Sequence, residues 1–445
     1  MSSTLLIQES RRTLALAFPI IVGQVGQMLI GITDTALIGR VGTVPLAAAA
    51  FTHSVFGVFF IVGIGLLIPV GVFSAREFGA GDLRGCAAWL RHGRMVALAV
   101  SAVGVALMAL LVTQLDRFGQ PPEVVAIMTP FYLLIAASLV PTLFFQVQRQ
   151  FAESLGHPWV PMMIMLVDVA LNALLNWMFI WGHLGAPAMG LTGSGVATLI
   201  ARTAAVVAIA MWLRRAKALS AVRAAAVNGK WERERFRALW RMGLPAGGAM
   251  LFEAGAFGAA ALMMGWLGAT ALAAHQVALS CAAFAFMFPL GLSTAASMRV
   301  SNAIGEGRRE ALRAIGFGAL GMSSVFVLVF ATAFGFAGEA IARLFSADTA
   351  VVALAAKLLL VAAVFQLFDG AQVVAGGALR GLTDVKVPTA ITFVAYWMLA
   401  LPGGYFLGVR GVGPLGVWGA LAAGLAFAAV FLAWRFARLT RVAVG

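Results

Sequence analysis

Four carboxylic acids stand inside long apolar stretches of this chain: Asp34, Asp168, Glu253 and Asp369. A charge near the centre of a bilayer costs at least ~2.5 kcal/mol on insertion scales. Such a group takes up a proton, holds a cation or pairs with a basic neighbour. Helical rise sets depth. Glu253 lies about ten residues, and Asp369 about eight, from the cytoplasmic end of its stretch, so the two share a level. Together they are candidate cation-coupling residues that hold Na⁺ or exchange a proton. The plainer reading is a structural hydrogen-bonded pair.

Asp34 lies toward the outer end of the first stretch. Asn172 and Asn176, one helical turn apart, share a face at a similar depth. The three make a first polar site, although amides also serve as glue between membrane helices. Asp168 stands one turn before Asn172, and Arg202 lies at a comparable depth, so a structural Asp168–Arg202 ion pair is expected. His53 and His275 read as helix-contact residues. Phe284, Phe286, Met287 and Phe288 are a candidate cleft for flat organic cations, with core or lipid-facing packing as the alternative. No nucleophile–base set, phosphate loop or metal-ligand cluster is present, so no enzyme and no cofactor is expected beyond a coupling Na⁺ or H⁺. The two cysteines, Cys86 and Cys281, lie far apart and suggest neither a disulfide framework nor a metal site.

These groups need elements to hold them, and composition says which. The 445 residues are 62% hydrophobic and 11% charged, with a mean hydropathy of +0.97. Soluble domains carry about 25% charged residues. Lipid must therefore solvate much of the surface. Runs near 20 apolar residues, the length that crosses the hydrocarbon core, predict spans at 14–38, 46–74, 93–114, 127–150, 160–182, 190–213, 243–266, 272–298, 314–337, 350–377, 387–408 and 414–436. The first is too long for the core of a signal peptide. Of 31 Lys and Arg residues, 25 fall in, or within two residues of, the terminal segments and the loops on the same side. That bias predicts both termini in the cytoplasm, and it reads the net charge of +14 as a topology signal rather than a nucleic-acid surface.

The chain also repeats itself at an offset of 226: Pro19 with Pro245, Gly39 with Gly265, Gly42 with Gly268, and Gln146-Val147 with Gln372-Val373. Six spans per repeat make the repeats parallel, related by an axis along the membrane normal. The expected fold is all-α, with twelve transmembrane helices in two pseudo-symmetric lobes, 1–213 and 242–445, joined by a basic cytoplasmic linker, 214–241. Two lobes that rock about a cleft give alternating access.

Several segments resemble the multidrug and toxic-compound extrusion family in its NorM-like branch: Thr33-Asp34-Thr35-Ala36, Leu171-Asn172 through Asn176-Trp177, Gly243-Leu244-Pro245 with Phe252-Glu253, and Asp369-Gly370-Ala371-Gln372 through Leu379-Arg380-Gly381. The resemblance runs nearly end to end. It implies twelve helices and drug efflux driven by inward Na⁺ or H⁺. It also implies a cation site at Glu253 and Asp369, with Na⁺ as the candidate metal, and a role for Asp34 in protonation and drug coupling. Some relatives carry an acid where Asn176 stands, which tilts the expectation toward Na⁺. The expected activity is antiport of amphipathic organic cations by a monomer in the inner membrane. The alternatives are a flippase of lipid-linked saccharides, disfavoured by mainly acidic embedded charges, and a membrane-embedded enzyme.

Overall fold

A backbone in hydrocarbon must satisfy its own hydrogen bonds, and a helix does so within one segment. The computed structural model describes residues 3–118, 121–226 and 230–441, and among them every long apolar run is helical. Among the described residues, twelve helices are long and apolar enough to span a membrane. They are α1 (Thr4–Gly39), α2 (Thr43–Gly79), α3 (Leu83–Val112), α4 (Pro122–Ser154), α5 (Trp159–Trp181), α6 (Gly190–Arg215), α7 (Arg233–Trp266), α8 (Ala269–Gly305), α9 (Ala311–Arg343), α10 (Thr349–Gly381), α11 (Lys386–Val412) and α12 (Pro414–Leu439). Local chemistry sets several ends. Asp82 caps α3 by accepting from the Gly85 amide, and Asp348 caps α10 by accepting from Ala350 and Val351. Of the linker predicted at 214–241, residues 227–229 lie outside the described residues, and α7 begins within it, at Arg233.

The 226-residue repeat is written into the backbone. Both ends of α2 map onto both ends of α8 at that offset. Gly42 and Gly268 precede the two helices with φ of 154° and 112°, and Gly81 and Gly307 follow them at 73° and 76°. An L side chain rarely adopts such angles, which explains why glycine recurs at these two positions.

Two compact units result, Met1–Ile21 with Gly248–Gly445, and Val22–Gly247. The division therefore differs from the sequence-based lobes, 1–213 and 242–445. It falls inside α1 and inside α7, at repeat-equivalent places, each two residues beyond a helix proline, Pro19 or Pro245. Proline removes one backbone rung and crowds the preceding turn, so a helix can change direction there.

The start of α1 is tied into its unit by charge. Glu9, 1% exposed, accepts from Arg308 at 2.9 Å and pairs with Arg299, with Arg12 at 3.6 Å. Glu9→Gln leaves these guanidinium groups facing one another. A fully buried broken pair costs about 3–5 kcal/mol, and partial exposure of the arginines brings this to about 2–3 kcal/mol. The expected result is a lower thermal midpoint in detergent. An unchanged midpoint would mean that the arginines are served by water alone.

Candidate functional site

Polar side chains gather at one centre in each unit. In the Val22–Gly247 unit, α1 supplies Asp34, α5 supplies Asn172 and Asn176, and α6 supplies Thr198 and Arg202. Asn176 Nδ2 donates to Asp34 Oδ1 at 2.9 Å and to the Asn172 carbonyl at 3.0 Å, while Asn172 Nδ2 reaches Thr198 Oγ1 at 3.5 Å. The Asn176 side-chain oxygen is buried without a donor. The structure thus brings Asp34, Asn172 and Asn176 together and adds Thr198, whose separate helix hid it from sequence reasoning.

Beside this cluster lies a cavity of about 190 Å³. Asp34, Asp168, Arg202, His53, Gln27 and Gln146 line it, with the rings of Phe56, Phe60 and Phe145. The expected Asp168–Arg202 ion pair is not closed. Asp168 Oδ1 is buried with no hydrogen-bond partner among the described residues. Arg202 instead donates from Nη1 to Ser138 Oγ at 2.6 Å and lies 4.6 Å from the centroid of the Phe56 ring. Ser138 is the one residue between the helical stretches Pro122–Ala137 and Leu139–Ser154 of α4. Pro141 has no N–H to return to the preceding turn, and the buried Ser138 hydroxyl on that turn takes the Arg202 guanidinium.

The other unit holds the second-lobe acids. α7 supplies Glu253. α10 supplies Asp369 and, one turn on, Gln372; α11 supplies Tyr396. The Gln372 side chain lies within reach of both carboxyls, and the Tyr396 hydroxyl lies beside Glu253. Asp369, Gln372 and Tyr396 are buried. Among the described residues, Asp369 Oδ1 and the Tyr396 hydroxyl find no hydrogen-bond partner of good geometry. Tyr396 falls in a π-helical stretch, Val394–Ala400, just before Pro402. Such widened turns recur at functional sites.

A basic group also serves this lobe. The Arg380 side chain folds back along α10 past Gly376, donates to Ser293 Oγ at 2.8 Å, and acts on Glu253 through its charge without closing an ion pair. The repeat also relates the two centres: an offset of 226 carries Gln27 onto Glu253 and Gln146 onto Gln372. The Gln27–Glu253 match was the available signal for this kinship.

The aromatic segment does not form one wall. Residues advance 100° along a helix, so Phe284, Met287 and Phe288 share a face while Phe286 points away from it. Phe288 packs on Phe326 and Phe330 of α9, and Phe284 on Phe330. His275 accepts from Trp418 Nε1 at 3.1 Å, and its Nε2 is buried without a partner.

A family model described as MatE matches residues 19–178 and 245–406. The chain is 37% identical over 441 residues to the "Probable multidrug resistance protein NorM" of Pseudomonas putida, covering 97% of this chain and 96% of that protein. It is 34% identical over 438 residues to the "Multidrug resistance protein NorM" of Vibrio cholerae, covering 96% and 95%. In fold it is similar to a MOP superfamily transporter from Pyrococcus furiosus, with a TM-score of 0.89 at 20% identity over 99% of this chain and 100% of the other.

Proposed function

The chain belongs to the multidrug and toxic-compound extrusion family of membrane transporters, and from that premise we propose that it exports amphipathic, often aromatic organic cations in exchange for inward Na⁺ or H⁺. It works as a monomer in the inner membrane, with both termini cytoplasmic. The observation that carries the exchange is the pair Glu253 and Asp369, placed within electrostatic reach of each other with a buried, unpartnered oxygen on Asp369. Two carboxyls at close range repel unless a positive ion or proton joins them. Oxygen donors from Glu253, Asp369, Gln372 and Tyr396 suit a hard cation. Binding one neutralises the pair, and release restores the repulsion. The cycle exports only if drug and coupling ion each favour a different state, since a ligand with equal affinity for both shifts nothing.

Inverted membrane vesicles test this directly. A fluorescent organic cation should accumulate inside when the lumen is loaded with Na⁺ or made acidic, and stay outside when neither gradient is present. The gradient that drives it identifies the coupling ion. Failure of both gradients would sink the proposal.

A further inference from the structure

The cavity of the Val22–Gly247 unit contains a group that cation exchange does not call for. Arg202 brings a permanent positive charge into a wall that already holds Asp34 and Asp168, because a guanidinium does not lose its proton in a protein. Two neighbours fix it in place. Ser138, buried beside Arg202, donates its own hydroxyl proton to the Ile135 carbonyl at 2.6 Å and so presents lone pairs to Arg202 Nη1. The Phe56 ring covers the guanidinium.

The charged surroundings are few. Asp34 on α1 and Asp168 on α5 both feel the Arg202 charge. His53 is the remaining titratable group in the lining, from α2. On α4, Arg149 and Glu153 satisfy each other at 2.7 Å. With His53 neutral, two carboxylates against one guanidinium leave a single negative charge. The unpartnered Asp168 Oδ1 shows that the arginine has not used up both acids.

We propose that Arg202 is a specificity-determining residue that sets the charge capacity of this cavity at one. The cavity then takes one proton or one singly charged organic cation at a time, and a doubly charged molecule leaves it with an unbalanced positive charge in low-dielectric walls. Because a proton and a cation compete for the same capacity, each displaces the other. The proposal rests on the export of organic cations argued above and deepens it by naming the charge class.

Ethidium and propidium supply the test, because they share one ring system and carry one and two positive charges. Transport of each dye by the full chain is measured in inverted vesicles. The wild type should favour ethidium. Arg202→Gln should move the propidium-to-ethidium ratio at least tenfold toward propidium, while Arg202→Lys, which keeps the charge, should hold the wild-type ratio. A glutamine variant that carries both dyes at the wild-type ratio overturns the proposal. Should Arg202→Gln fail to accumulate, charge balance offers a second route. Asp168→Asn leaves the cavity neutral and should lose ethidium transport, and adding Arg202→Gln should restore it. Ethidium transport by Asp168→Asn at the wild-type rate overturns the capacity argument alone. A wild type that moves neither dye under either gradient overturns the export reading and this proposal with it.

Discussion

Glu253→Ala and Asp369→Ala are each expected to reduce gradient-driven export to background while the protein still reaches the membrane. Two unit charges about 4 Å apart interact by about 4 kcal/mol at the effective dielectric of a protein. Removing one carboxylate therefore weakens cation binding by about two to three orders of magnitude. The repeat supplies no further acid, because Ala260 stands where Asp34 would correspond, and the other neighbours of Glu253 are Gln372, Tyr396 and the cationic Arg380. Insertion should not suffer, since an intramembrane charge is costly in itself. The measurement is drug resistance of cells expressing each variant, normalised to protein in the membrane fraction. Glu253→Gln and Asp369→Asn, which keep shape and lose charge, should behave the same way. Full resistance in both alanine variants would remove this pair from the coupling step.

Much of this fold was legible because hydrocarbon leaves few options. Apolar runs of the right length had to be helices, and the offset of 226 had to make the halves alike. The same offset pairs Gln372 with Gln146 in the sequence itself. The misses concern what long side chains do. Depth along the helices pairs Asp168 with Arg202, but the buried Ser138 hydroxyl of α4 takes Arg202 Nη1 and leaves that pair open. Arg380 lies just beyond the stretch predicted at 350–377, but a side chain of that length runs back along its helix past Gly376, as helical side chains do. Tyr396 carried no signal in a linear string, because a π-helical turn rotates it onto the site. Charges could be found from the sequence; their pairing could not.

Gly377→Val is expected to cost the second centre its alignment. At Gly377 a Cβ would meet the backbone carbonyl and the hydroxyl of Ser293, and at Gly381 it would fall 2.6 Å from the Ser297 carbonyl. Glycines four apart on α10 thus face serines four apart on α8, the small-residue packing that lets membrane helices touch backbone to backbone. Ser293 does more than fit. Its hydroxyl donates to the Val373 carbonyl at 2.6 Å and accepts from Arg380, so it joins the two helices and anchors the arginine whose charge acts on Glu253. A valine must push α8 away, and overpacking of a tight contact costs about 1–3 kcal/mol. The obstacle is backbone, which cannot rotate aside, so the upper end applies. Export should fall with stability, and Gly377→Ala should fall between. Gly321 on α9 is the control, because a Cβ there meets nothing within 4 Å. Gly321→Ala should gain about 0.5–1 kcal/mol from helix propensity and leave export intact. Thermal midpoints and transport rates of the three variants decide the matter. If Gly377→Val matched Gly321→Ala in both, the close approach of α8 and α10 would have no part in holding Asp369 against Glu253.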